Sequence, residues 1–242
     1  MARISIETAN KHLENNSREY KYVNNFYLKQ RGENTFIRPL LADIKDIEVY
    51  SIHNVRMTSK TGKTYLVQVS CHGDNCPLCK EAQKYDNALT AKVSKVRDYV
   101  YLPLIRLYNA DKEYQPSYEI FSRSTRWYRD ELAPFCARYN FNTVLEIQRL
   151  GTGKDTTYKL YEARKDFEGN IIKDDISIEQ YMKDFEVQDD DIFGRPDSLI
   201  LDWTTTEFER YLETGTYPKA IISEETEEEE ETTPRRRSNK GF

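Results

Sequence analysis

The stretch VQVSCHGDNCPLCKEAQ, residues 67 to 83, places three of the chain's four cysteines within nine positions and sets a histidine beside the first. Thiols this close must be cross-linked, redox-active, metal-bound or buried together, and each choice limits the fold around them. A chain of 242 residues is long enough to bury a core without disulfides. It has no run of about 18 apolar residues. Its N-terminus, MARISIETANKHLENNS, lacks the charged-then-apolar design of a secretory signal. The expectation is a soluble, intracellular protein, in which a tight cysteine cluster points to metal binding or redox chemistry.

Redox chemistry asks for Cys-x-x-Cys opening a helix after a strand in a βαβ unit. CPLC at 76 to 79 has that spacing, but the preceding DIEVYSIHNVRMTSKTGKTYLVQVS reads as two strands joined by a glycine-containing turn, and no parallel βαβ pattern follows. A zinc knuckle fits better. Tetrahedral zinc takes four N or S ligands, and Cys76 and Cys79 lie on one tight turn shaped by Pro77. Cys71 is the natural third ligand. Cys136 lies far along the chain in a helix-patterned segment and reads as a core thiol, so the fourth ligand falls to a histidine. His72 adjoins Cys71, and neighbouring residues rarely both reach one ion. His53 sits on the preceding strand, across the turn from the strand leading to Cys71, and is favoured. Four protein ligands make a closed, structural site, so function has to be sought elsewhere.

Charge is segregated along the chain. Residues 1 to 165 carry 27 Lys/Arg against 19 Asp/Glu, net +8; residues 166 to 223 carry 5 against 15, net −10; residues 224 to 242 carry 4 against 7, net −3, which together give the chain's −5. A basic body with an acidic appendage suggests a polyanion-binding domain. The 18 tyrosines strengthen this, because many alternate with basic residues on strand-like segments such as KVRDYVYLPLIRLY, SYEIFSRSTRWYR and TTYKLYEAR. Alternation predicts that Arg97, Tyr99, Tyr101 and Pro103 share one face of a strand and Val100, Leu102 and Leu104 the other. A face of cations and aromatics can stack bases and hold phosphates.

Period and punctuation predict strands near 35–41, 46–57, 63–71, 98–109, 117–123, 142–150 and 155–163. GTGK at 151 to 154 belongs to a hairpin; Asp155 stands where a phosphate loop needs Ser or Thr. STRWYRDELAPFCARYN predicts a helix with the stripe Trp127, Leu132, Phe135, Cys136 and Tyr139, strained at Pro134. TTTEFERYLETG predicts a second, with Thr-x-x-Glu capping spacing and a stop near Gly215. The expected fold is mainly β: an oligonucleotide-binding-type barrel with a zinc-binding loop, one or two packed helices and a disordered acidic tail. The expected division is an N-terminal arm (1–25), a core (26–165) holding the zinc subdomain (about 46–97), an acidic extension with a short helix (166–223), and the tail (224–242).

The succession DIEVYSIHNVRM, GKTYLVQVSC, CPLC, VRDYVYLPLIRLY, YEIFSRSTRWYRDEL and an acidic C-terminus resembles the zinc-containing, helix-destabilising single-stranded-DNA-binding proteins of tailed bacteriophages. The resemblance covers about residues 26 to 165 and takes in the helix near 204 to 213. It implies His53, Cys71, Cys76 and Cys79 as ligands of one structural Zn²⁺, and a cleft in which Lys95, Arg97, Tyr99, Tyr101, Arg123 and Arg126 meet DNA. It also implies a non-enzymatic, sequence-independent binder acting in phage DNA replication, recombination and repair, in the cytoplasm of the infected bacterial host, with the acidic tail meeting replication or recombination proteins. The chain differs from the family in lacking a basic cooperativity motif near its N-terminus and in carrying PRRRSNKGF after its glutamates. The acid run QDDDIF at 188 to 193 reads as a solvated linker rather than a nuclease centre. The competing class is a zinc-ribbon adaptor of phage transcription or replication machinery that contacts protein or duplex DNA.

Overall fold

A computed structural model describes residues 24–58, 62–84, 92–172, 176–194 and 198–215. The N-terminal arm up to residue 23 and the tail lie outside the described residues. The chain divides into two compact units, one formed by residues up to 49 together with 99–199, the other by 50–98 together with the segment from 200. Each contains antiparallel strand pairing and one parallel pair.

In the first unit the strands are β1 (Asn24–Asn25), β2 (Asn34–Pro39), β5 (Arg97–Tyr108), β6 (Tyr114–Ser124), β7 (Leu145–Leu150) and β8 (Thr157–Glu162). They pair in the order β8–β7–β2–β5–β6–β1, all antiparallel except β1 with β6. Both faces of this sheet are covered. Ile37, Leu102, Leu104, Leu145 and Ile147 belong to one core with Phe121, Trp127, Leu132 and Phe135. Phe36, Ile105 and Leu107 belong to a second core with Val144 and Tyr181, against which Phe167, Ile172, Ile178, Phe185 and Val187 pack. Neighbours on one strand thus serve opposite cores, which is why β2 is buried throughout Thr35–Pro39.

The predicted barrel is not closed among the described residues: no backbone pairing joins β1 to β8. Side chains from that end reach the segment after β1 instead. The Leu28 amide donates to the Tyr158 hydroxyl at 3.3 Å, and Arg149 Nη1 donates to the carbonyls of Leu28 and Lys29.

The helix expected after β6 forms as α2, with α-helical Thr125–Trp127, a π turn over Tyr128–Leu132 and α-helical Ala133–Cys136. The π turn restarts the helix just before Pro134, which thereby sits in a first turn, where its missing N–H costs no bond. Trp127, Leu132 and Phe135 are buried, whereas Tyr139 of the expected stripe is exposed. Cys136 is half-buried against the first core. Helix α3 (Ile178–Asp184), capped by Ser177, lies in the stretch read as acidic extension.

In the second unit β3 (Glu48–Thr58) and β4 (Thr64–Ser70) form the hairpin read from the sequence, and β9 (Ile200–Leu201) adds parallel to β4 at Gln68 and Val69. Helix α1 (Pro77–Gln83) opens with Pro at its start. Helix α4 (Thr205–Thr214) has the capping box Thr204–Glu207 and ends at Gly215 with φ 69°, a left-handed conformation that glycine adopts without strain. It buries Phe208 and Tyr211 with Trp203, Val55, Met57, Val69, Leu78 and Val93. Each such apolar burial contributes about 1.5–3 kcal/mol. The stretch 200–215, expected in a separate acidic extension, groups with residues 50–98.

Candidate functional site

His53 lies on β3 opposite Val69 of β4, which brings it beside Cys71, just beyond the end of β4. The Cys71 amide donates to the Ser51 carbonyl at 2.9 Å and so continues the hairpin past its last pair. Cys76 immediately precedes α1 and Cys79 lies in its first turn, so the helix turns both sulfurs to one side. The four ligating atoms of His53, Cys71, Cys76 and Cys79 all lie within 4.8 Å of one another. This is the only such cluster among the described residues.

The spacing fits one tetrahedral ion. His53 Nε2 is 3.6 Å from Cys76 Sγ and 3.4 Å from Cys79 Sγ, and Cys71 Sγ is 3.5 Å from Cys79 Sγ. Metal–sulfur bonds of ~2.3 Å and metal–nitrogen bonds of ~2.0 Å at tetrahedral angles require edges of ~3.8 Å between sulfurs and ~3.5 Å between nitrogen and sulfur. The imidazole is prepared for the role. His53 Nδ1 lies 2.8 Å from the Ser94 carbonyl, which holds the proton on Nδ1 and leaves the Nε2 lone pair facing the sulfurs. Ser94 is itself fixed to β3: its amide donates to the Asn54 carbonyl, and its hydroxyl accepts from the Asn54 amide.

Burial lowers the pKa of His53, only partly opposed by the Ser94 hydrogen bond, and so favours the neutral imidazole that a metal needs. Burial, with Cys71 and Cys76 close by, pushes the Cys79 thiol up to about 12. Thiolates packed this way require a cation among them. Cys136, by contrast, stands apart from the cluster, its thiol raised to about 11 chiefly by burial. His72 also stands apart: it is exposed, 3.2 Å from Asp202 through Nε2, with its ring edge-on to Phe208 at 4.8 Å.

The residues expected to meet DNA are placed unequally. Lys95 and Arg97 are exposed and Tyr99 is half-buried; Arg97 and Tyr99 are alternate residues of β5. Tyr99 pairs with Ser124, the cap of α2, two positions before exposed Arg126. Arg126 already shares Asp130 with Arg129, at 3.3 and 2.7 Å. One of the expected contacts is corrected. Tyr101 is 0% exposed and has no ring face to offer a base; further along the same strand face Ile105 and Leu107 belong to the second core. Arg123 lies 4.7 Å from the ring of Phe121 and 4.1 Å from that of Tyr158 and donates from Nη1 to the Ser122 carbonyl. It is half-buried, as Tyr99 is; burial depresses its pKa, and its ring contacts link β6 to β8.

Sequence reasoning passed over Ser94, whose contribution is a backbone carbonyl, and over the return of residues 200–215 to the metal-binding unit. Neither carries a local signal. In the acid run, Asp191 is buried and accepts from the Gln188 amide at 2.9 Å, closing a turn. A scan against models of known protein families and a search against curated protein sequences return no match to this chain.

Proposed function

We propose that the chain is a sequence-independent single-stranded-DNA-binding protein, acting in phage DNA replication, recombination and repair in the host cytoplasm, with zinc as the ion of the His53, Cys71, Cys76, Cys79 site. The observation that carries the reading is the exposed run Lys95, Arg97 and half-exposed Tyr99 entering β5. Phosphate-binding cations there precede a ring that can stack on a base. The antiparallel ladder β8–β7–β2–β5–β6 is compatible with an oligonucleotide-binding-type scaffold. One imidazole and three thiolates at tetrahedral spacing suit zinc, and with four protein ligands the ion's role is to fold the unit rather than to catalyse. On this reading the acidic tail serves protein partners.

A fluorescence titration with oligo(dT), competed with duplex DNA and read beside metal analysis, tests the proposal. Quenching of tyrosine by oligo(dT) that duplex does not reverse is the expected result; preference for duplex, or no binding, overturns it.

A second reading, an adaptor that contacts protein or duplex DNA, is favoured by the apolar surface of the zinc-motif unit, where Leu66 of β4 is 63% exposed and Tyr65 beside it 43%. The same competition separates the two.

A further inference from the structure

In the first unit, the start of β2, the end of β5 and the β5–β6 turn enclose an open pocket of about 300 Å³ whose lining includes Arg31, Glu33, Asn34, Arg106, Asn109 and Lys112. Three cations face one carboxylate there, a net charge of +2. The carboxylate is occupied. Glu33 Oε2 accepts from the amides of Lys29 and Gln30 at 2.6 and 2.8 Å, and Oε1 is 3.9 Å from Arg106 Nη2. Glu33 therefore builds the turn that presents Arg31 and steadies Arg106, whose Nε donates to the Tyr108 carbonyl at 2.9 Å. Arg31 is exposed and has no acidic partner among the described residues.

Lys112 is the least expected member. It closes the β5–β6 turn, its amide donating to the Asn109 carbonyl at 3.1 Å, with φ 64°. Hairpin positions of this kind favour glycine. The lysine here keeps a strained backbone and extends its ammonium over the ring of Phe167, 4.8 Å from the centroid. The cation–π contact holds the ammonium at the pocket's edge, where Lys112 joins the lining, and a non-glycine residue kept at positive φ is the kind of strain that collects at binding sites. Beside the turn, Tyr114 is 59% exposed, and its ring is held edge-on by Tyr108 at 5.6 Å. Asp111 and Glu113, on the same turn, do not line the pocket.

We propose that this pocket seats one phosphodiester group of a bound single strand, with Arg31, Arg106 and Lys112 holding the phosphate and Tyr114 stacking on an adjacent base. The inference rests on the single-strand reading above and adds a contact site distinct from Lys95, Arg97 and Tyr99.

The test uses oligo(dT) titrations of the full chain and of the variants Lys112→Gly, Arg31→Ala and Tyr114→Ala at several salt concentrations. Glycine suits φ 64°, so Lys112→Gly is expected to keep or raise the melting temperature, which separates lost binding from lost folding. Lys112→Gly and Arg31→Ala are each expected to flatten the slope of log K against log salt by about 0.7, one phosphate contact on a single strand. Tyr114→Ala is expected to weaken binding at every salt concentration alike. Unchanged slopes in both cation variants, with the unmodified chain binding normally, overturn the pocket and leave the single-strand reading standing. Failure of the unmodified chain to bind oligo(dT) overturns that reading itself. Lys112-dependent binding of inorganic phosphate with unchanged oligo(dT) slopes would assign the pocket to a free anion and overturn the strand contact.

Discussion

The Nδ1 atom of His53 lies 2.8 Å from the carbonyl oxygen of Ser94, 41 residues further along the chain. This bond selects the tautomer whose Nε2 faces Cys76 and Cys79, so the strand carrying the histidine and the segment before β5 jointly set one metal ligand. The purified protein is therefore expected to hold one zinc per chain. His53→Ala should lose it, while His72→Ala, which removes only the Asp202 and Phe208 contacts, should retain it. Metal content by elemental analysis decides the matter, and retention in the first variant with loss in the second would reverse the assignment.

The metal-free protein should be most stable over a limited pH range. Cys79 has a folded pKa raised from 9.0 to about 12, so its contribution is intact below pH 9 and is lost as pH rises from 9 toward 12. His53 has a folded pKa below its ordinary 6.5, so stability falls as pH drops below about 6.5, where the unfolded chain takes up the proton more readily. The metal-bound form already holds its thiolates ionised and should not share the alkaline loss at Cys79. Denaturant unfolding with and without chelator, at pH 7 and pH 10, checks this. Cys136 titrates in both forms, so the comparison to make is the difference between them.

Helix α4 should support the metal site from a distance in sequence. Phe208→Ala opens a cavity among Trp203, Met57 and Leu78 and is expected to cost about 3–5 kcal/mol. Thr204→Ala removes the capping box at a cost of about 1 kcal/mol. Both should speed zinc release to a chromogenic chelator, the first more than the second. Release rates equal to those of the unmodified chain would mean that α4 does not stabilise the site.

Cations of similar appearance in the sequence should behave differently. Arg97→Ala is expected to reduce the salt dependence of oligo(dT) binding by about 0.7 in slope, and Tyr99→Ala to weaken binding by about 1–3 kcal/mol. Arg123→Ala should lower the melting temperature instead, since Phe121 and Tyr158 lose the guanidinium packed against both; a cation–π contact is worth about 0.5–2 kcal/mol, more as it is desolvated. A variant at Arg123 that melts normally but binds weakly would return that residue to the binding surface.

Deleting residues 224–242 should tighten oligo(dT) binding at low salt, because seven glutamates between 224 and 231 form a tethered polyanion that competes with DNA. The gain should shrink as salt screens the charge. Weaker binding by the truncated chain would make Arg235, Arg236 and Arg237 the dominant part of the tail.

What the sequence determined by itself was local. Cys76, Pro77 and Cys79 span a single turn, so their spacing alone put two sulfurs on one side; the helix Pro77–Gln83 that this turn opens was not read from it. The turn between β3 and β4 sets His53 across from the approach to Cys71. Alternation marked the seven long strands, and Thr-x-x-Glu spacing at 204–207 and 206–209 with Gly215 marked both ends of α4, the structure using the first pair, because caps and pleats depend on neighbours a few residues away. Tertiary structure decided what each strand face meets. The period of two assigned Arg97, Tyr99 and Tyr101 to one side of β5 but carried no information on how far along that side solvent extends. Ile105 and Leu107 on the same face are buried in the core that Phe167, Tyr181 and Phe185 help to form, from a stretch whose net negative charge had suggested a solvated appendage. Net charge sums over a segment, whereas burial depends on which few apolar side chains in it find a partner far away in sequence. For the same reason Arg123, indistinguishable from a surface cation in SYEIFSRSTRWYR, is half-buried against two rings, one of them supplied by β8 some 35 residues later.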